Sequence, residues 1–211
     1  MNFVRVLVCL AFGSGLSLVM NSTNAETPGA ADQDWPCEQI LVPEVLAAVI
    51  WAGPAITGLE DAWQDVGSVS RLVQRITSPG YDQNAADQEI AEFASKQEVQ
   101  QKDRMLTLLF AGVLGELNRD RSMMLSGIKR YSRGQAARAE RLGEDLDEIA
   151  RLEGESSPDS RIRLDALRKQ MELKQRIFDE REESIQYLCS QPVAVEQRLG
   201  FLARSIAYQL D

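Results

Sequence analysis

The 211-residue chain contains no histidine. Imidazole changes charge between pH 5 and 8, and it serves most hydrolytic triads and most zinc, haem and di-iron centres. Its absence excludes those chemistries, including the ferritin-like bundle whose helices carry Glu-x-x-His. The sequence also lacks a Walker loop, a G-x-G-x-x-G turn after a strand, a G-x-S-x-G elbow and an EF-hand loop. Alternation of apolar and polar residues never runs far, and β-branched clusters are few, so nothing predicts a sheet. Aromatic residues make up 6% of the chain and cysteine only three positions, none in a C-x-x-C pair. No catalytic residue, cofactor or metal ion is therefore expected. An enzyme working with carboxylates alone is the weakest functional reading, because the abundant acids fall mostly on predicted solvent faces.

Long apolar runs are also scarce. Residues 6–20 form one, preceded by Arg5 and followed by Thr23 and Ala25 at the small positions of a peptidase site. That layout predicts a cleaved export signal over 1–25. The run is shorter than the roughly 18–20 residues that cross a bilayer. The segment ILVPEVLAAVIWAGPAI (40–56) is shorter in effect, broken by two prolines, and predicts a buried helix rather than stable membrane insertion. Cleavage removes Arg5 and Cys9, so the remaining chain is more acidic than the full-length net charge of −9 and keeps two cysteines, Cys37 and Cys189. Nucleic acid is not an expected partner for an exported acidic chain. Two cysteines in an oxidising compartment usually pair. An intramolecular Cys37–Cys189 disulfide is expected, in a protein of the periplasm ahead of the extracellular medium.

What is present is helical periodicity. The pattern predicts an all-α helical bundle with a long helical hairpin, stapled by one disulfide. Residues 26–33 form a flexible lead, and 34–211 a single helical domain with hairpin arms at about 102–153 and 159–188. Pro43 begins a helix that Gly53-Pro54 ends, and a second runs over 59–76 with Leu59, Trp63, Val66, Val69, Val73 and Ile76 on one face. Ser157 and Pro158 have the residue types of an N-cap and first helical position. Gln191-Pro192 is expected to restart a last helix, whose stripe is Val195, Leu199, Leu202 and Ile206.

Indexed at 100° per residue from Arg119, the central helix gathers Phe110, Leu114, Leu117, Met124, Leu125, Ile128, Leu142 and Leu146 between about 140° and 240°. Arg119, Arg130, Arg133 and Arg141 share the opposite side. Arg121 is the exception, a buried charge at about 200° on the apolar face. It needs a carboxylate from another helix, and Glu60, Asp65, Glu89 and Asp179 are candidates. Residues 116–141 carry seven Lys/Arg against three Asp/Glu, whereas 144–159 carry seven acids against one Arg. The arginine stripe could meet an acidic partner or pair internally with those acids. Trp35, Trp51 and Trp63 fall in one N-terminal stretch, where they pack the core beneath the disulfide or, alternatively, line a small-ligand pocket.

The stretches DWPCEQ, LLFAGVLGELNRDRS and GIKRYSR together resemble a group of uncharacterised secreted helical proteins from alphaproteobacteria. The resemblance implies a periplasmic helical protein and brings no activity, ligand or partner with it. The favoured functional expectation is a non-enzymatic accessory or scaffold protein that contacts a periplasmic or inner-membrane protein. A small-ligand-binding bundle is the alternative. The oligomeric state is not readable from composition or pattern.

Overall fold

The computed structural model describes residues 34–211, so the expected signal peptide (1–25) and polar lead (26–33) lie outside the described residues. The described elements are α1 (Ala47–Ile50), a 3-10 turn (Ala62–Asp65), α2 (Gly67–Thr77), α3 (Gln83–Ser95), α4 (Val99–Glu153) and α5 (Pro158–Tyr208). The architecture is all-α, dominated by an antiparallel hairpin of α4 and α5. Ser157 caps α5 as its residue type suggests: its hydroxyl oxygen accepts the Ser160 N–H at 3.0 Å, with Pro158 at the first helical position.

The hairpin follows a coiled-coil spacing. On α4 the shielded residues Ile128, Tyr131, Gln135, Arg138, Leu142, Asp145, Ile149 and Leu152 recur at alternating intervals of three and four. On α5 the same rhythm runs from Ser160 through Phe178, Ile185 and Leu188 to Leu199, Leu202 and Ile206. Such spacing keeps one seam facing the partner helix along the whole contact. Polar seam residues meet across it. Lys174 pairs with Asp145 at 2.6 Å. The Gln135 amide donates to Glu182 at 2.8 Å and accepts from Arg181 Nε at 3.0 Å. The Arg181 guanidinium also stacks 4.3 Å from the Tyr131 ring centroid. Shifting one helix against the other would leave these groups unpaired, so they fix the register.

The main core lies at the other end of the hairpin. There α2 and α3 pack on the first half of α4 and the end of α5, burying Val69, Val73, Ile76, Ile90, Leu106, Leu109, Phe110, Leu199, Leu202 and Ile206. Gly112 lets α4 approach closely: a Cβ there would stand 2.6 Å from Val73 and 2.8 Å from Trp63.

Three expectations are corrected. First, the run after Pro43 is not a buried helix. Only Ala47–Ile50 is helical, and Leu46 and Val49 are exposed. Residues 34–46 instead form a non-helical strap along α4, where side chains of α4 bond the backbone of Val42, Pro43 and Val45. Second, the helix expected over 59–76 is broken at Val66, whose extended backbone separates the 3-10 turn from α2. The predicted apolar face still holds, with Trp63, Val69, Val73 and Ile76 buried. Third, Pro192 restarts nothing. It is buried inside a continuous α5, so the second arm runs well past residue 188. Proline deprives the Leu188 carbonyl of its helical donor, and the strap fastens to this turn. Cys189 forms the disulfide with Cys37, Cα atoms 5.6 Å apart, and its carbonyl accepts from Gln39 Nε2 at 2.7 Å.

Candidate functional site

The strap defines how the predicted site residues are held. Moving along it from residue 34, its contacts travel backwards along α4. Asp34 pairs with Arg133 at 2.7 Å. The carbonyls of Val42 and Pro43 accept from Arg121. Val45 is clamped on both sides by the Asn118 amide: its N–H donates to Oδ1 and its carbonyl accepts from Nδ2, each at 3.0 Å. One side chain thus supplies the two bonds that a neighbouring strand would otherwise give an extended residue.

Arg121 is buried, with 3% exposure, as its place on the apolar face requires. Its partner is none of Glu60, Asp65, Glu89 or Asp179. Glu196 on α5 accepts from Arg121 Nε at 2.6 Å, and Glu89 is held by Arg75 at 2.7 Å and by the Tyr81 hydroxyl at 2.5 Å. With two strap carbonyls and one carboxylate, the guanidinium fork is satisfied on three sides.

The arginine stripe lies on the outer side of α4, with all four members exposed. Arg119 is paired within its own helix to Glu116 at 2.8 Å, and Arg133 is paired to the strap. No carboxylate among the described residues is within ion-pair distance of Arg130 or Arg141. Arg141 also borders a groove of about 200 Å3 with Arg138 and Lys174, so three cations converge there. The acids at 144–159 do not neutralise the stripe. Several are engaged by α5 and by their own helix: Asp145 by Lys174, Glu153 by Arg168 at 2.5 Å, and Glu148 by Arg163 at 3.6 Å and Arg151 at 2.7 Å. Arg151 holds the Glu148 carboxyl below its ordinary range through that hydrogen bond. The antiparallel hairpin sets the acidic part of α4 beside the basic 161–176 stretch of α5.

The tryptophans do not converge. Trp63 is buried against Gly112. Trp51 stacks on Phe110 with ring centroids 4.0 Å apart, and its Nε1 donates to the Pro54 carbonyl at 2.8 Å. Trp35 closes a turn of the strap by donating to the Gln39 carbonyl at 2.7 Å. All three act in packing and local structure. The grooves that do exist are elsewhere. One of about 720 Å3 runs between Pro36–Gln39 and the Ile185–Gln197 face of α5, beside the disulfide. Another, of about 340 Å3, contains Asp120 and Arg198. Arg198 donates to the Ile76 carbonyl at 2.6 Å, near the C-terminus of α2, while its Nε is buried without a partner. Burial pushes the Arg198 pKa below its ordinary value.

Sequence reasoning missed Asn118, Glu196 and the seam residue Gln135. Asn118 adjoins the apolar face of α4, a position where an amide signals a backbone to be clamped, but the strap's extended backbone was not expected. Among the described residues, no helix is long and apolar enough to cross a membrane. No group of three or more Cys, Asp or Glu side chains among them could hold a metal ion. No protein family, curated protein or solved structure matches the chain.

Proposed function

We propose that this chain is an exported accessory or scaffold protein of the bacterial periplasm, non-enzymatic, which meets an acidic surface of a periplasmic or inner-membrane protein through the outer face of α4. The observation that carries this reading is the half of the stripe, Arg130 and Arg141, that no carboxylate among the described residues pairs. Arg130 and Arg141 stand exposed in line with Arg119 and Arg133, while Asp145 and Glu153 are held by Lys174 and Arg168 of α5. Solvated arginines presented by a rigid helix suit electrostatic recognition, which governs association rate and choice of partner more than raw affinity. The disulfide and the resemblance to secreted alphaproteobacterial proteins are consistent with an oxidising compartment outside the cytoplasm.

In-cell crosslinking followed by mass spectrometry tests the reading. The combined variant Arg119→Glu, Arg130→Glu, Arg133→Glu and Arg141→Glu is expected to lose the crosslinked partner while keeping its helical content. For the purified pair, the association rate should fall as salt rises, since charges are screened over about 8 Å at physiological ionic strength. Retention of the same partner by the reversed variant overturns the proposal.

A further inference from the structure

The outer face of α5 carries a pattern that nothing within the fold uses. Indexed at 100° per residue, Ile162, Ala166, Lys169, Leu173, Ile177, Glu180, Ser184 and Tyr187 fall within about 80° of arc, and every one of them is exposed. The large apolar members are open to solvent at 70% for Ile162, 53% for Leu173, 44% for Ile177 and 68% for Tyr187. The seam with α4 lies on another side of the helix, through Met171, Phe178 and Ile185. Monomeric surfaces seldom line up apolar side chains this way unless something covers them.

The order of residues says what fits. Read in either direction from its centre between Leu173 and Ile177, the stripe mirrors itself in chemical type. If a second α5 lies antiparallel across it, Leu173 meets Ile177 of the second copy, Lys169 meets Glu180, Ala166 meets Ser184 and Ile162 meets Tyr187. Each contact then occurs twice, as an isologous two-fold interface demands. On the flank, Arg176 falls beside Glu172 of the second copy. Asp165 falls opposite Glu183, with Lys169, its 2.9 Å partner, beside it. A parallel arrangement would set Lys169 against Lys169 and Glu180 against Glu180, so charge selects the antiparallel one.

We infer that α5 is a homodimerisation face, with a second copy of this chain docked antiparallel on the stripe from Ile162 to Tyr187. The contact runs about 38 Å along each helix. That is at the small end of specific interfaces, where association is weak or transient. The stripe adjoins the basic face of α4 at one point, where Ile177 lines the groove that Arg138 and Arg141 border.

Sedimentation velocity of the oxidised protein over a concentration series tests this. The expected result is a monomer–dimer equilibrium that Leu173→Lys shifts to monomer. Lys169→Glu or Glu180→Lys alone should weaken association at least tenfold, because each places like charges together twice. The double variant Lys169→Glu/Glu180→Lys should restore it, and circular dichroism should show unchanged helical content throughout. A wild type that stays monomeric up to the highest soluble concentration overturns the inference. So does a dimer indifferent to the single reversals, or one that the double reversal fails to rescue.

Discussion

At Arg121 one guanidinium joins α4 to α5 and to the strap, through Glu196 and the carbonyls of Val42 and Pro43. Arg121→Ala removes the donor from all three at once. Breaking a buried pair typically costs about 3–5 kcal/mol. The half-exposed Glu196 can recover water, which places the expected loss near 3 kcal/mol. Arg133→Ala deletes a pair exposed on both sides, and should change stability by about 0.5 kcal/mol or less. Urea unfolding of the two variants checks the contrast, and equal small effects would refute it. That Arg121 is buried was legible, because the helical period places it among Leu117, Met124 and Leu125. Its carboxylate was not, since the choice depends on which turn of α5 stands opposite.

Elements were legible where local signals and tertiary contacts agree. The turn at Gly154–Ser157 and the apolar stripe of α2 follow from capping chemistry and period. The strap was not legible. The pattern EVLAAVIWA is helical by itself, but Asn118 and Arg121 bind the preceding backbone in an extended form, and tertiary bonds override propensity. Pro192 misled for a related reason: the helix keeps its course because the proline itself is buried, with the half-buried seam residues Leu188 and Val195 on either side. Two glycines of α4 make the role of packing measurable. An exposed helical Gly→Ala usually stabilises by about 0.5–1 kcal/mol. At Gly115 a methyl group would meet nothing within 4 Å, so Gly115→Ala should raise the melting temperature. At Gly112 the methyl would collide with Val73 and Trp63. Overpacking of that kind costs about 1–3 kcal/mol, so Gly112→Ala should lower it. Shifts of the same sign in differential scanning calorimetry would contradict the described packing.

For the whole molecule, the all-helical class, the hairpin and the staple were legible from missing strand patterns, two long periodic stretches and two cysteines. The proposed surface was less so, because a row of arginines has the same sequence whether or not carboxylates face it. The staple closes a separation of 152 residues. On the chain-entropy account its loss costs about 5 kcal/mol, and native disulfides commonly give about 2–5. Denaturant unfolding of Cys37→Ser/Cys189→Ser should therefore show a large loss of stability with helical content retained, and an unchanged midpoint would refute this. The strap also has a place in time. Contacts near the 154–157 turn are close in sequence and form early, whereas those of the strap span most of the chain and form late. The site that receives it, made of Asn118, Arg121 and Cys189, comes together only after both arms have zipped back over roughly thirty residues from the turn. A hairpin closed out of register would carry Cys189 away from Cys37 and leave both thiols open. Oxidation at this pair is thus a receipt for correct assembly, issued last and only to chains whose two long helices have found their proper alignment.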